Sequence, residues 1–514
     1  MKPISTNLFD LIRSLGQHEK AYFKRHATLH SRDGGNYIKL FEAINKQKDY
    51  DETLLRKQLV NEKLIGYLPR AKKYLYQKIL ESLRHYYDHT TEMQLHNALS
   101  DLDLLLKKSL YSQHHKLLKK SIKLAEESEN WLYYMLLWKH KIRVAARQSY
   151  TTLTPHDFDE EQESVNTILA LETEKVQNLL LQTEVRKFTL MEGENIKKAA
   201  PEGLEHIKQA LEEATTNTKE SEIYILFAKA NHDLKDVKVS TQWYKQFIET
   251  IEQYPHILSR NIYLYITAIE HWISIGGRLM DHSLIEEVER LPKILKTHKN
   301  YLGNNDTIKI NSAYYYLQLK YQYDFCLYEE NKYDALIQDM VRKLKGAWNS
   351  IPPQRTMLTA LYCALLYFAH KKYDKAIEWI DRVIETEANA LRHDLISQAY
   401  VFRCIFYFEQ EDYKYLNHLL QQCTRRLKKY KHYHGYSVYL IKAMQKLMKA
   451  PNHKHWVNLK REIEDYAKQD VTQSHAYPPA VIYAWVLSRI RPCSYKTAHK
   501  EIIEDRIQYF KSKS

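Results

Sequence analysis

Asn331-Lys-Tyr-Asp-Ala-Leu-Ile337, Lys371-Lys-Tyr-Asp-Lys-Ala-Ile377 and Glu411-Asp-Tyr-Lys-Tyr-Leu-Asn417 stand in one frame, forty residues apart. Self-similarity at a fixed period of this size marks stacked supersecondary units, none of which can bury its apolar face alone. The tyrosines by themselves carry little weight in a chain that has 41 of them. Their company carries more. Six residues before each stands Leu327, Tyr367 or Tyr407, and seven after it stands Met340, Ile380 or Leu420. That is one apolar stripe on each of two helices, with the tyrosine where the second begins.

A helical array needs little turn chemistry, and the composition supplies little. The chain holds 11 glycines and 12 prolines in 514 residues, against ordinary usage of roughly 7% and 5%. Hairpins, glycine-rich loops and proline-rich linkers are thereby disfavoured, and nearly the whole chain reads as helix. The expected class is all-α, an α-solenoid of antiparallel helix pairs preceded by a small domain of short helices. Boundaries follow from breaks in pattern: 1–91 for the short helices, 92–275 for a first set of hairpins, 278–430 for the forty-residue repeats and 431–514 for basic C-terminal helices. Gly276-Gly277 marks a joint.

Within the first region, Ser5-Thr-Asn7 opens a helix to about Leu15, a second runs from His18 to Leu29, and Ser31-Arg-Asp-Gly-Gly-Asn36 reads as a loop. A helix over 37–46, another behind Asp49-Tyr-Asp51 and a basic one over 70–85 follow. Further on, helices over 92–110 and 114–128 join at Tyr111-Ser-Gln113, and a long helix runs from Asp159 to Met191.

The middle repeat carries a family likeness. Ala364, Tyr367, Tyr373, Ala376 and Val383 follow the small, aromatic, aromatic, small, small spacing of a tetratricopeptide (TPR) helix pair, and the segment resembles one. The flanking repeats match in Cys404, Tyr407, Tyr413 and Cys423, and depart at Asp324, Leu336 and Leu416, where small residues belong. The resemblance covers about 120 residues and implies a superhelix whose groove binds a peptide or helix of a partner protein. The forty-residue period departs from the family's thirty-four, so no binding residue carries over. Leu11-Ile-Arg-Ser-Leu15, His18-Glu-Lys-Ala-Tyr-Phe-Lys24 and Tyr37-Ile-Lys-Leu-Phe41 also resemble the opening of a group of uncharacterised bacterial TPR-like proteins. That likeness implies no activity.

Enzyme signatures are missing from the chain. Neither GxxxxGK[ST] nor GxGxxG occurs, nor GxSxG, HExxH or paired Glu-x-x-His. His26/His30 and His85/His89 have the spacing of helical metal pairs, but chance alone yields such pairs in a chain with 25 histidines. Five cysteines form no CxxC, and Cys363 and Cys404 sit where helix pairs want a small buried residue. No cofactor and no metal is expected.

Charge is distributed unevenly. Residues 1–92 carry 17 Lys+Arg against 11 Asp+Glu, residues 93–412 carry 40 against 45, and residues 413–514 carry 20 against 7. The basic end contains Arg425, Arg426, Lys428, Lys429 and Lys431 interleaved with tyrosines, a candidate patch for an acidic protein segment or for nucleic acid. Tyr430, Tyr433, Tyr436 and Tyr439, spaced by three, read equally as one buried helix face. The alternative nucleic-acid element is the basic N-terminal helix, with Arg70, Lys72, Lys73 and Lys78 entering a groove. Asp10 and Arg13 interrupt the opening residues, so no signal peptide is expected. The longest apolar run, Leu361 to Ala369, is about half of what a bilayer requires. The expectation is a cytoplasmic, non-enzymatic protein with a protein partner, nucleic acid as the alternative, and no membrane.

Overall fold

The computed structural model describes residues 6–29, 34–47, 50–59, 66–148, 154–190, 205–233, 236–276, 284–299, 301–327, 330–345, 347–386, 392–430, 432, 436–450, 452–469 and 480–511. Among these, 86% are helical and none is a strand. The all-helical expectation from scarce glycine and proline therefore holds. The chain forms two compact units interleaved in sequence. One comprises residues 1–184, 209–228 and 253–261, the other 185–208, 229–252 and 262–514.

The first unit opens with α1 (Asn7–Ser14), α2 (Gln17–Leu29), α3 (Gly34–Lys46), α4 (Glu52–Gln58) and α5 (Leu68–Tyr86). Ile12, Phe23, Leu40, Phe41, Leu55, Leu75 and Ile79 close one core. Two turn assignments need correcting. Gly34, Gly35 and Asn36 begin α3 instead of ending a loop, and Pro69 lies in the first turn of α5 instead of before it. A proline is tolerated there because that N–H has no intrahelical partner in any case. Asp51 does cap α4, accepting from Leu54 N at 2.9 Å. Then come α6 (Thr91–Lys107), α7 (Tyr111–Glu127), α8 (Trp131–Arg147) and α9 (Pro155–Leu190). A short helix, α10 (205–213), and α11 (Lys219–His232) follow.

The second unit contains α12 (Val237–Glu252), α14 (Ile262–Gly276), α15 (Leu284–Val288) and α16 (Arg290–Thr297), while α13 (Pro255–Arg260) belongs to the first. Its main body is α17 (Asn304–Asp324), α18 (Glu330–Lys343), α19 (Pro353–Ala369), α20 (Tyr373–Glu385), α21 (His393–Glu409) and α22 (Tyr413–Lys429). It ends in α23 (Tyr436–Lys449), α24 (His453–Gln469), α25 (Ala480–Ile490) and α26 (Tyr495–Lys511). From α17 onward, helices mostly pack on their sequence neighbours, and α17 also packs on α19. One apolar core runs through α17 to α25.

A chain so poor in glycine must stop its helices by other means. Ser109, Glu129, Cys326, Lys371 and Glu411 all adopt positive φ, between 51° and 60°. Each sits two residues beyond a helix end and donates its N–H back three residues, as Lys371 does to Phe368 O at 2.9 Å. After Ser109, Glu129, Cys326 and Lys371 the next residue reaches back five, as Leu110 to Leu105 O at 3.0 Å and Lys372 to Tyr367 O at 3.0 Å. This is the Schellman closure, usually built on glycine. It also corrects the 108–113 region: the turn is Lys108 to Leu110, and Tyr111 already belongs to α7. A left-handed conformation costs an L-residue roughly 1–2 kcal/mol. Lys371→Gly should therefore raise stability by about 1 kcal/mol in chemical denaturation, an effect that a turn of another geometry would not give.

Tyr373 and Tyr413 are the first residues of α20 and α22, each two residues after a left-handed one. Tyr333 is different, lying inside α18, because α17 stops at Asp324 and turns at Cys326, ahead of the forty-residue frame. The repeats are nevertheless pinned alike. The Tyr367 hydroxyl donates to Asp334 Oδ1 at 2.7 Å, and Gln410 Nε2 to Asp374 Oδ1 at 2.6 Å. The aspartate after each ladder tyrosine thus anchors the following first helix; the third repeat has Lys414 in its place. Ala364 and Ala376 are fully buried, Tyr333 stacks on His370 at 4.3 Å, and Cys363, Cys404 and Cys423 are buried packing residues. Ala376→Leu should overpack this contact and cost about 1–3 kcal/mol, read as a lowered melting temperature.

Candidate functional site

The first helices of the ladder, α17, α19 and α21, present one face to the last two helices of the chain. Tyr495 of α26 brings its hydroxyl to 2.7 Å from that of Tyr323 on α17, and its ring lies 5.1 Å from Phe368 on α19. His499 Nδ1 lies 3.4 Å from Cys326 Sγ. On α25, Trp485 is buried between Phe408 and Trp456, with centroids at 5.7 and 4.9 Å, and its indole N–H donates to Glu409 at 2.7 Å. Glu409 also accepts from Tyr373 at 3.1 Å and pairs with Arg489. One carboxylate at the end of α21 therefore collects a phenol, an indole and a guanidinium. A side chain so far removed from water needs such donors to satisfy its oxygens.

Beside these contacts lies a cavity of about 410 Å³, bounded among others by Lys320, Asp324, Tyr362, Phe402, Val481 and His499. Aromatic and aliphatic walls with a few convergent polar groups are what ligand and peptide sites share. Lys320 pairs with Asp324 one turn along α17, so the two charges largely cancel. Burial pulls the His499 imidazole down to about 4, so it is neutral at physiological pH. Burial pushes the Tyr362 and Tyr495 phenols up, which keeps them as donors. Nearby, Arg355 on α19 pairs with Glu270 on α14, and burial lowers its pKa to about 10. The site offers hydrogen bonds and apolar surface, and its lysine and aspartate pair with each other.

The sequence-derived candidates lie elsewhere. Arg425, Lys428 and Lys429 are exposed near the end of α22, whereas Arg426 is half-buried 6.0 Å from the Tyr400 ring; Lys431 lies outside the described residues. The evenly spaced tyrosines do not share a helix face, because α22 ends at Lys429 and α23 starts at Tyr436; Tyr433 lies outside the described residues. Tyr430 instead stacks on His393 at 4.3 Å.

The N-terminal basic helix is also corrected. Lys72 is tied to Glu52 at 3.1 Å and to the Tyr50 hydroxyl at 2.7 Å, and Lys78 to Glu81 at 2.8 Å, so only Arg70 and Lys73 stand exposed. Four cations do not project together, because α4 supplies the acid that holds one of them. His26 and His85 do meet, with rings stacked at 5.3 Å, while His30 lies outside the described residues. Among the described residues no three His, Cys, Asp or Glu side chains group as metal ligands, and no helix is long and apolar enough to cross a membrane.

Sequence reasoning does not single out Glu409, Trp485, Tyr495 or His499. One signal is present: Ala480-Val-Ile-Tyr-Ala-Trp-Val-Leu487 is apolar on all sides, as a helix enclosed by others must be. No family model, curated protein or solved structure matches the chain.

Proposed function

We propose that this protein is a non-enzymatic, cytoplasmic interaction scaffold whose TPR-like solenoid binds a helical segment of a partner protein on the face of α17, α19 and α21. The observation that supports this reading is the occupant that face already has. It seats a helix pair through aromatic packing and one carboxylate that takes three donors, which is the chemistry by which a groove receives an amphipathic helix. The cavity beside Lys320 and Tyr362 leaves room on the same face. The test is an affinity pull-down with the full chain from its native host, with and without nuclease, repeated with Gln398→Trp at the half-buried cavity wall. A partner that withstands nuclease and is lost from the tryptophan variant supports the reading. Retention by the variant places the partner elsewhere.

The exposed Arg425, Lys428 and Lys429 favour a second reading, in which an acidic protein segment or a nucleic acid docks at the end of α22. Exposed charges are screened over about 8 Å at physiological ionic strength, so such binding should weaken with salt. Exchanging Arg425, Arg426, Lys428, Lys429 and Lys431 for glutamine should weaken it further, while stability changes little. Titration with the captured partner and with single-stranded RNA and DNA checks this. Equal affinity of both forms for every ligand returns these residues to a solvated helix face.

A further inference from the structure

The long helix α9 buries polar side chains beside Ile168 and Val185 and leaves a line of apolar ones exposed. Glu174, Asn178 and Gln182 face inward and are buried, while Leu169, Val176 and Leu180 face outward at 44%, 45% and 62% exposure. The inward polar face is held in place. Glu174 accepts from Thr215 Oγ1 and from Asn217 N, both at 2.8 Å, and Asn178 Nδ2 donates to Thr215 O at 2.8 Å. Rotating the helix to hide its leucines would break all three bonds and strand buried polar atoms, so the apolar side stays in water.

Phe158, Val165, Leu169, Val176 and Leu180 follow one another at intervals of 7, 4, 7 and 4 residues, all exposed except Val165, which is half-buried. Eleven residues span three turns almost evenly, so these positions form a nearly straight line along the helix. From 158 to 180 that line is about 33 Å long, at 1.5 Å per residue. A line of this spacing fits another helix side by side.

Charge indicates which helix. Asp159, Glu163 and Glu184 are exposed along one flank of the line, and none has an ion pair among the described residues. The helix as a whole carries eight Asp or Glu against Lys175, Arg186 and Lys187. Pairing α9 with a second copy of itself would set a net-acidic helix against another, which disfavours self-association. We propose that the exposed line of α9 is a docking seam for a partner helix that carries aliphatic residues at the same 7/4 spacing and lysine or arginine along its flank. The seam uses α9 alone and shares no residue with the ladder face.

The test uses the full chain and two synthetic helical peptides of about 25 residues, long enough to span the seam at 1.5 Å per residue. Both carry Leu and Val at 7/4 spacing, one flanked by lysine and the other by glutamate. Titration by fluorescence anisotropy should show the lysine peptide binding at least about tenfold tighter, with the preference shrinking as salt rises. Leu169→Gln, Val176→Gln and Leu180→Gln together should weaken it about tenfold or more. Asp159→Asn, Glu163→Gln and Glu184→Gln together should remove the preference for lysine. Circular dichroism establishes that both variants fold. Equal binding of the lysine peptide to the wild type and to the apolar variant overturns the proposal. So does a wild-type dimer in sedimentation that the apolar variant abolishes, since a second copy would then cover the seam.

Discussion

Replacing Trp485 with alanine should destabilise the second unit by about 3–5 kcal/mol, the range for deleting a large aromatic from a close-packed core. The indole is 1% exposed and lies edge-on to Phe408 and Trp456. Its loss leaves a cavity and also removes one donor from Glu409. Trp485→Phe is the milder change. It keeps one aromatic ring in the core but deletes the N–H together with part of the indole's bulk, so about 1–3 kcal/mol should go. Denaturant unfolding measures both, and hydrogen exchange over 495–511 reports whether α26 loosens with α25, against which it packs. A loss below about 1 kcal/mol for the alanine variant would mean that the C-terminal pair is not seated on the ladder as described.

Acid should begin to destabilise this protein above the range in which carboxylates titrate. His114, His271 and His499 are each pulled by burial to about 4, from an ordinary value of 6.5. Neither ring nitrogen of His114 meets a hydrogen-bond partner among the described residues, and the neighbouring His140 and Arg143 oppose its protonation further. Because these folded-state values lie below the unfolded one, the unfolded chain binds more protons throughout the interval. Stability is therefore full above about pH 6.5, falls as the pH drops through it, and reaches its full loss below about 4. Each histidine contributes at most about 3 kcal/mol, since every tenfold loss of proton affinity on folding is worth about 1.4 kcal/mol. His114→Leu should flatten the slope and leave stability at neutral pH unchanged, since it removes an imidazole that makes no hydrogen bond among the described residues. Melting temperatures from pH 7.5 to 4.5, for wild type and variant, decide the matter. A profile flat down to pH 5 would show that these imidazoles reach water.

The helices were legible because periodicity of 3.6 and scarce turn residues are local properties. Their ends were less so. A sequence without glycine at its turns hides left-handed caps on Lys371, Glu411 and Ser109, where any polar residue would look the same. The ladder was legible in Ala364, Tyr367 and Ala376, whose buried positions follow from their own spacing. The pairing of Lys72 with Glu52 was not, because it depends on how two separate helices pack, which neither helix's own pattern fixes.

What the amino-acid sequence determined by itself was an all-helical chain with a forty-residue ladder and a basic end. Tertiary structure alone decided what covers each face. The pattern of Ala480 to Leu487 requires enclosure, but only packing placed Trp485 against Phe408 and Glu409. In α9, hydrogen bonds from Thr215 and Asn217 hold Glu174 inward, while Leu169, Val176 and Leu180 stay exposed. Burial of apolar surface is roughly proportional to area and without direction, so a sequence shows which stripe is apolar and leaves its partner open. A hydrogen bond has both a distance and an angle, and a few of them, made across more than thirty residues of chain, fix the orientation that hydrophobicity leaves open.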